Sequence, residues 1–370
     1  MTSADRLART RALLDRLELD ALLLSRGAFK RWLAGFALAD PDDPTHGYAG
    51  TLLVGRDHAF LLADSRYTTQ AAAQAADWEL VATTRPLWLE MADLFARTGS
   101  HRCGAESRVL SHDAWSRIEE AAPQVELTAV DNELASLRMV KDASELAALT
   151  RAAELTDACF IHLLGWMAPG RREVEITWEV ERFLREAGAE GLSFPTIALV
   201  GPRAALPHGE PGEARVTAGQ AVLVDMGARV DGYRADMTRT VFVGSPDDEA
   251  RRLYQVVHDA QDAAARSVRP GVAGTAVHAV ALDVLAAAGV EPFGHGLGHG
   301  IGLEVHEPPS LSERDYPGQN GVNLDIGMTF TIEPGIYRPG QIGIRIEDDF
   351  VLTADGVRSL THSPNQLVTI

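Results

Sequence analysis

Asp225, Asp236, His299, Glu333 and Glu347 are the residues of this 370-residue chain whose types and settings point most directly to chemistry. Four are hard oxygen donors and one is an imidazole. Each sits in a short apolar or glycine-rich stretch of the kind that folds into a buried strand or a tight turn. Four carboxylates gathered in one interior repel each other strongly unless cations lie between them. The simplest reading is a two-metal site, and a metal pair with mixed Asp, Glu and His ligands most often means metal-assisted hydrolysis.

Taken singly, each motif has a plainer explanation. Asp225 ends the apolar run Ala221-Val222-Leu223-Val224-Asp225, and Asp236 follows the turn Asp231-Gly232-Tyr233. A hairpin over this span would bring the two carboxylates side by side, yet turn and N-cap aspartates are common. The string His295-Gly296-Leu297-Gly298-His299-Gly300-Ile301-Gly302 has two histidines four apart, as on a zincin helix. Its alternating glycines argue against a helix, and no Glu follows the first His. The glycines match neither nucleotide-binding pattern, and the expectation is that they let backbone approach a ligand. His306-Glu307 follows on the same stretch. Glu333 ends the strand-like Thr331-Ile332 before Pro334-Gly335. Arg345 and Glu347 in Ile344-Arg345-Ile346-Glu347-Asp348 share a face if the strand alternates with period two. An Arg–Glu pair on a strand is usually an ordinary ion pair. The joint occurrence in one region is what carries weight.

The elements that must position these groups fall into two parts. The first third mixes short strands, at Ala21 to Leu24, Thr51 to Val54 and Ala59 to Leu62, with a helix over Ser65 to Ala76. A Pro/Asp-rich loop spans Ala39 to Gly47. The segment from Pro123 to Asn132 reads as a strand entering a linker, which puts a domain boundary near residue 133. Beyond it, Asp142-Ala143-Ser144-Glu145 supplies N-cap residues for a helix to about Trp166, and a second helix runs from Glu173 to Gly188. Strands are expected at Thr196 to Val200, Ala221 to Asp225 and Thr238 to Val243. Helices follow at Asp248 to Val268 and Thr275 to Ala288, then strand-like segments at Met328 to Ile332 and Ile342 to Asp348. A helix pair followed by strands thus occurs twice, which is the pattern of a duplicated α+β half.

Composition excludes several classes. Hydrophobic residues make up 46% and charged residues 23%, as in a globular protein. The net charge of −18 argues against nucleic acid and anionic membrane surfaces as partners. Met1 to Asp20 alternates Arg with acids around Leu7, Leu13, Leu14 and Leu17, which suits a surface helix rather than a secretory signal. Two cysteines, Cys103 and Cys159, exclude a disulfide framework and a Cys-rich zinc site, so the expected compartment is the cytoplasm.

In this order the motifs resemble the dinuclear pita-bread metallopeptidases: methionine aminopeptidase, Xaa-Pro aminopeptidase, prolidase and creatinase. The resemblance rests on Asp225-x10-Asp236, the string from His295 through His306-Glu307, Glu333-Pro-Gly and Arg345-Ile-Glu347. Arg31-Trp32-Leu33-Ala34-Gly35-Phe36, Asp64-Ser65-Arg66-Tyr67 and Leu137-Arg138-Met139-Val140-Lys141-Asp142 with Glu145 are similar to motifs of the Xaa-Pro peptidase and creatinase branch. Methionine aminopeptidases generally lack such an N-terminal domain, and creatinases lack the metal ligands. The fold implied is α+β: a C-terminal pita-bread domain over 134–370 and a smaller creatinase-like α/β domain over 1–133. The resemblance implies two divalent ions per subunit, Mn²⁺ first and Co²⁺, Zn²⁺ or Fe²⁺ as alternatives. Asp225 would chelate one ion, His299 with Glu333 the other, and Asp236 and Glu347 would bridge. A hydroxide between them would attack, and Glu333 would shuttle the proton. His208 and His306 would face the substrate carbonyl and oxyanion, and His295 would line the pocket for the residue after the scissile bond. Arg345 would orient Asp225, with Tyr337 a further candidate beside it. Short proline-containing peptides are the implied substrates and a homodimer the implied assembly.

Dipeptides are slightly preferred as substrates, with Xaa-Pro aminopeptidase action on longer peptides as the alternative. Many prolidases carry an Arg shortly after the last motif His, whereas His306-Glu307-Pro308-Pro309-Ser310 has none. A residue of the N-terminal domain, from the same chain or a partner subunit, could substitute: the loop Asp40 to Gly47, Arg31 or Arg66 could reach the site, and the loop serves equally well as a dimer contact or solvated turn. A pita-bread domain used only for binding is the alternative of another class.

Overall fold

The computed structural model describes residues 1–38, 47–313 and 322–370. The expected loop over 39–47 therefore lies outside the described residues except for Gly47. The chain divides into two compact units, Met1–Arg138 and Met139–Ile370.

The first unit is a six-stranded sheet in the order Glu79–Ala82, Ala59–Ala63, Thr51–Gly55, Ala21–Leu24, Arg102–Ala105, Glu126–Ala129. The central strand Ala21–Leu24 is buried along its whole length, as a strand covered on both faces must be. It pairs antiparallel with Thr51–Gly55 and parallel with Arg102–Ala105. The amphipathic N-terminal stretch forms the helix Ser3–Arg16, opened by a Thr2/Asp5 capping box. The helices Gly27–Ala34, Leu87–Thr98 and His112–Ala121 were not distinguished in the sequence, because their apolar stripes are short.

The division at 138 falls beyond the expected boundary near 133, and the reason is local. The expected linker is the helix Asp131–Met139. Its first residue accepts Ser107 Oγ at 2.7 Å, and the guanidinium of Arg138 lies 4.8 Å from the Phe29 ring centroid. Both ends are thus tied to the first unit.

The second unit repeats one arrangement. Helices Ala143–Trp166 and Glu173–Glu186 pack through Phe160, Leu163, Ile176 and Val180 on Val222, Val224 and Met226 of the strand Ala221–Met226. This strand lies between Ile197–Val200 and Met237–Phe242. Helices Asp248–Ser267 and Gly274–Ala287 pack likewise on Phe330 and Ile332 of Thr329–Ile332 and on Phe350 and Leu352 of Asp348–Thr353. Because strand side chains alternate, Asp225 and Thr331 face away from these helix-covered cores. Glu333, two residues beyond Thr331, continues that side. The expected strand Ile342 to Asp348 is two strands, Ile342–Arg345 and Asp348–Thr353, parted at Ile346 and Glu347. Among the described residues no helix is long and apolar enough to cross a membrane.

Candidate metal centre

The break at Ile346 and Glu347 lets the chain change partners, and there the two halves meet. Glu347 donates its backbone N–H to Thr238 O at 3.0 Å, and its Oε2 accepts the Thr238 hydroxyl at 2.7 Å. Thr238 pairs across the sheet with Asp225, and Asp236 stands just before the same strand. On the other half, His299 in the short strand Gly298–Gly300 donates its N–H to Thr331 Oγ1 at 3.2 Å, and Glu333 N–H donates to Leu297 O at 2.8 Å.

The carboxylates and the imidazole consequently converge. Asp236, His299 and Glu347 each offer one donor atom, all within 4.8 Å of one another. His299 Nε2 is 3.7 Å from Asp236 Oδ2 and 3.5 Å from Glu333 Oε1. Nδ1 of His299 lies 3.2 Å from Gly300 O, a bond that only an Nδ1–H can make. That leaves Nε2 as the lone pair, the form a cation needs. Asp225 Oδ1 and Asp236 Oδ1 are buried without a hydrogen-bond partner. Buried, orphaned carboxylate oxygens are what a bound divalent ion would satisfy, so the residues fit a metal site.

The electrostatics agree. Burial, reinforced by Glu347 and Asp225, raises Asp236 well above the ordinary carboxylate range. Burial and Glu347 do the same to Glu333. Glu347 is pushed up to about 8 by burial and by Asp225. Burial, with His306 beside it, lowers His299 to about 3. The imidazole is therefore neutral and the carboxylates need positive charge to ionise together.

A polar chain backs the cluster. Nδ1 of His295 donates to Gly296 O at 2.7 Å, so its Nε2 accepts the Tyr337 hydroxyl at 3.0 Å. The Tyr337 oxygen accepts from Arg345 Nη1 at 3.0 Å, and Arg345 Nη2 donates to Asp225 Oδ2 at 2.7 Å. Arg345 thus holds Asp225, the contact expected of it, rather than making an ordinary ion pair with Glu347. His208, His295, His306, Tyr337 and Arg345 line one cavity of about 790 Å³ together with all five candidate ligands.

The glycines stand where backbone approaches backbone, and Gly296 and Gly298 also line the cavity. A Cβ on Gly298 would stand 2.0 Å from Thr331 O, and one on Gly300 would stand 2.3 Å from Pro308 O. They let strands approach each other, and that approach brings His299 to Glu333. Sequence reasoning also missed Asp349, whose Oδ2 accepts the backbone N–H of Asp236 at 2.9 Å. Its signal was present: three consecutive acids, Glu347-Asp348-Asp349, lead directly into the apolar run Phe350-Val351-Leu352. Arg66, a candidate partner for a substrate carboxylate, is bound to Asp64 at 2.8 Å in the first unit.

Residues 147–354 match metallopeptidase family M24, and residues 6–140 match the creatinase/prolidase N-terminal domain. The chain belongs to metallopeptidase family M24. A solved Xaa-Pro dipeptidase from Bacillus anthracis is 35% identical, with a TM-score of 0.92 and 100% of each chain covered. An X-Pro aminopeptidase from Thermotoga maritima MSB8 is 33% identical, with a TM-score of 0.85 over 96% of this chain and 99% of that one. An Xaa-Pro dipeptidase from Pyrococcus horikoshii is 35% identical over 274 residues, 74% of this chain and 76% of that protein. The expected fold, a pita-bread domain behind a creatinase-type α/β domain, is the fold of this M24 chain.

Proposed function

We propose that this M24 chain hydrolyses the bond before proline at the N-terminus of dipeptides and short peptides, with two divalent cations held by Asp225, Asp236, His299, Glu333 and Glu347. The carrying observation is the convergence of Asp236, His299 and Glu347 on one point, with unpartnered Asp225 and Asp236 oxygens beside it. When bound, such ions acidify water and polarise the scissile carbonyl. Mn²⁺ suits a carboxylate-rich set with one imidazole, and Co²⁺, Zn²⁺ or Fe²⁺ fit the same donors.

The chain's own residues supply the rest. An Xaa-Pro bond is a tertiary amide without N–H, so a peptidase cannot hold it by a backbone hydrogen bond at that nitrogen. Glu333, which lines the cavity 3.5 Å from His299 Nε2, is the group that would take a proton from the attacking water and pass it to the proline nitrogen as it leaves. His306 is lowered by burial and by His208 and is therefore neutral. It and His208 are the donors for the carbonyl oxygen as charge develops there. The carboxylates receive the free α-amino group of the substrate.

Dipeptides are the preferred substrates on the likeness to the Bacillus anthracis dipeptidase. One observation favours the aminopeptidase reading: Arg345, the sole Lys or Arg among the described cavity-lining residues, is engaged by Asp225 and Tyr337. A dipeptide's carboxylate finds no free cation there, and a longer peptide needs none. Turnover of Ala-Pro against Ala-Pro-Ala by the Mn²⁺-loaded chain tests both. Faster Ala-Pro cleavage supports the dipeptidase, much faster Ala-Pro-Ala cleavage the aminopeptidase, and no cleavage of either rejects the proposal.

A further inference from the structure

Lys141 and Glu307 form a buried ion pair, Nζ to Oε1 at 2.6 Å, with side chains 1% and 3% exposed. Removing both charges from water costs several kcal/mol per ion, and such a pair roughly breaks even with apolar residues of the same volume. Fold stability therefore does not explain it, and what it holds must be considered.

Glu307 directly follows His306. The ladder between Gly298–Gly300 and Glu307–Leu311 pairs His299 with Ser310 but Gly300 with Glu307. Register slips there by two residues, so the regular ladder beyond does not by itself fix the pairing of Gly300 with Glu307, and His306 lies outside the ladder. The Glu307 side chain helps to hold that end of the strand. A Cβ on Gly302 would stand 2.5 Å from Glu307 Oε1, and Glu304 N–H points at Oε2 from 3.4 Å. The segment 302–307 is wrapped around this one carboxylate.

Lys141 is itself fixed. Its N–H donates to Gly327 O at 2.9 Å, and the next residue, Asp142, caps the helix Ala143–Trp166 in a box with Glu145. Glu145 also accepts the Tyr233 hydroxyl at 2.9 Å, while Arg234 N–H donates to Gly302 O at 2.8 Å. The motif Val140-Lys141-Asp142 with Glu145 thus grips both the turn before Asp236 and the segment before His306. The ring of His306 ends 4.2 Å from that of His299, edge to face.

We infer that Lys141 is a positioning residue, which sets through Glu307 where the His306 imidazole stands against His299 in the cavity. The inference rests on the peptidase reading for the role of His306, but its geometric content does not.

The test uses the full Mn²⁺-loaded chain and the variants Lys141→Met, His306→Ala and the two combined. Lys141→Met is expected to lower kcat on the preferred substrate by about 10–100-fold, with bound Mn²⁺ unchanged by elemental analysis. The double variant is expected to be no slower than His306→Ala alone, because residues acting as one unit are not additive. A crystal structure of Lys141→Met should show the His306 ring moved off His299. Multiplying losses, loss of metal in step with activity, or an unmoved His306 ring would each overturn the inference. If Lys141→Met does not fold, Lys141→Met/Glu307→Leu removes both charges and is read the same way. A wild-type chain that cleaves no Xaa-Pro bond defeats the peptidase reading. The crystal structure then still decides, a displaced ring supporting the inference and an unmoved one rejecting it.

Discussion

The hydroxyl of Thr238 donates to Glu347 Oε2 at 2.7 Å and accepts from Arg345 Nε at 3.0 Å. A strand of the first half thereby orients a carboxylate of the second, and the site exists only where the halves meet. Glu347→Gln keeps this hydrogen bond and the side-chain volume but removes the anion. Activity on Ala-Pro or Ala-Pro-Ala should fall by at least about 100-fold, more than loss of an outer hydrogen-bond partner costs. Bound divalent metal should fall with it by elemental analysis. Full-rate hydrolysis by Glu347→Gln would sink the metal reading.

Tyr337 links His295 to Arg345, and burial raises its hydroxyl above the ordinary range, so it remains a donor. Tyr337→Phe leaves His295 Nε2 without its donor and Arg345 Nη1 without its acceptor. Orphaning such groups costs about 1–3 kcal/mol, to be read as a lower urea midpoint. Because Arg345 also holds Asp225, kcat should drop by about 10–100-fold. A variant with unaltered midpoint and unaltered kcat would show that the chain from His295 to Asp225 does not act as one unit.

What was legible in the sequence was what local pattern encodes. The run Ala21 to Leu24 is a buried strand at those bounds, and Asp142 to Glu145 caps a helix ending at Trp166 as expected. Alternation alone puts Asp225 opposite Val222 and Val224. What could not be read is pairing between distant segments. Lys141 and Glu307 are 166 residues apart, and nothing near either announces the other. Arg345 and Glu347 were expected to share a strand face, yet the strand ends between them so that Glu347 can reach Thr238. The glycines around His299 signalled close approach correctly but not to what, since a sequence does not say whether ligand or backbone fills the space.

That close approach is testable at Gly298. Its Cβ would meet Thr331 O at 2.0 Å, and a backbone carbonyl cannot swing aside as a side-chain tip can. Gly298→Ala should cost at least the 1–3 kcal/mol typical of overpacking, about the lower bound for a backbone clash, measured by urea unfolding. The strands carrying His299 and Glu333 would part, so Mn²⁺ affinity should weaken in parallel by calorimetry. Wild-type stability and affinity in this variant would show that the strands can separate without consequence.

Metal removal should make stability depend on pH with a definite sign. Asp236, Glu333 and Glu347 have folded pKa values raised above their unfolded ones, Glu347 to about 8. The unfolded chain therefore releases protons that the folded chain keeps, and their contribution, full below the unfolded value, is lost as pH rises through the folded one. His299 and His295, lowered to about 3 and about 4, act oppositely, but only up to the ordinary histidine value of 6.5. Between about pH 6.5 and 8 the carboxylate effect stands alone, at about 1.4 kcal/mol per pH unit for each proton retained. Chelator-treated protein should lose Tm steadily across that window. Saturating Mn²⁺ should raise Tm more at pH 8 than at pH 6.5, because cations and protons compete for the same oxygens. A flat Tm for the stripped protein from pH 6.5 to 8, or an equal metal effect at both ends, would mean that these carboxylates do not share one buried, cation-requiring site.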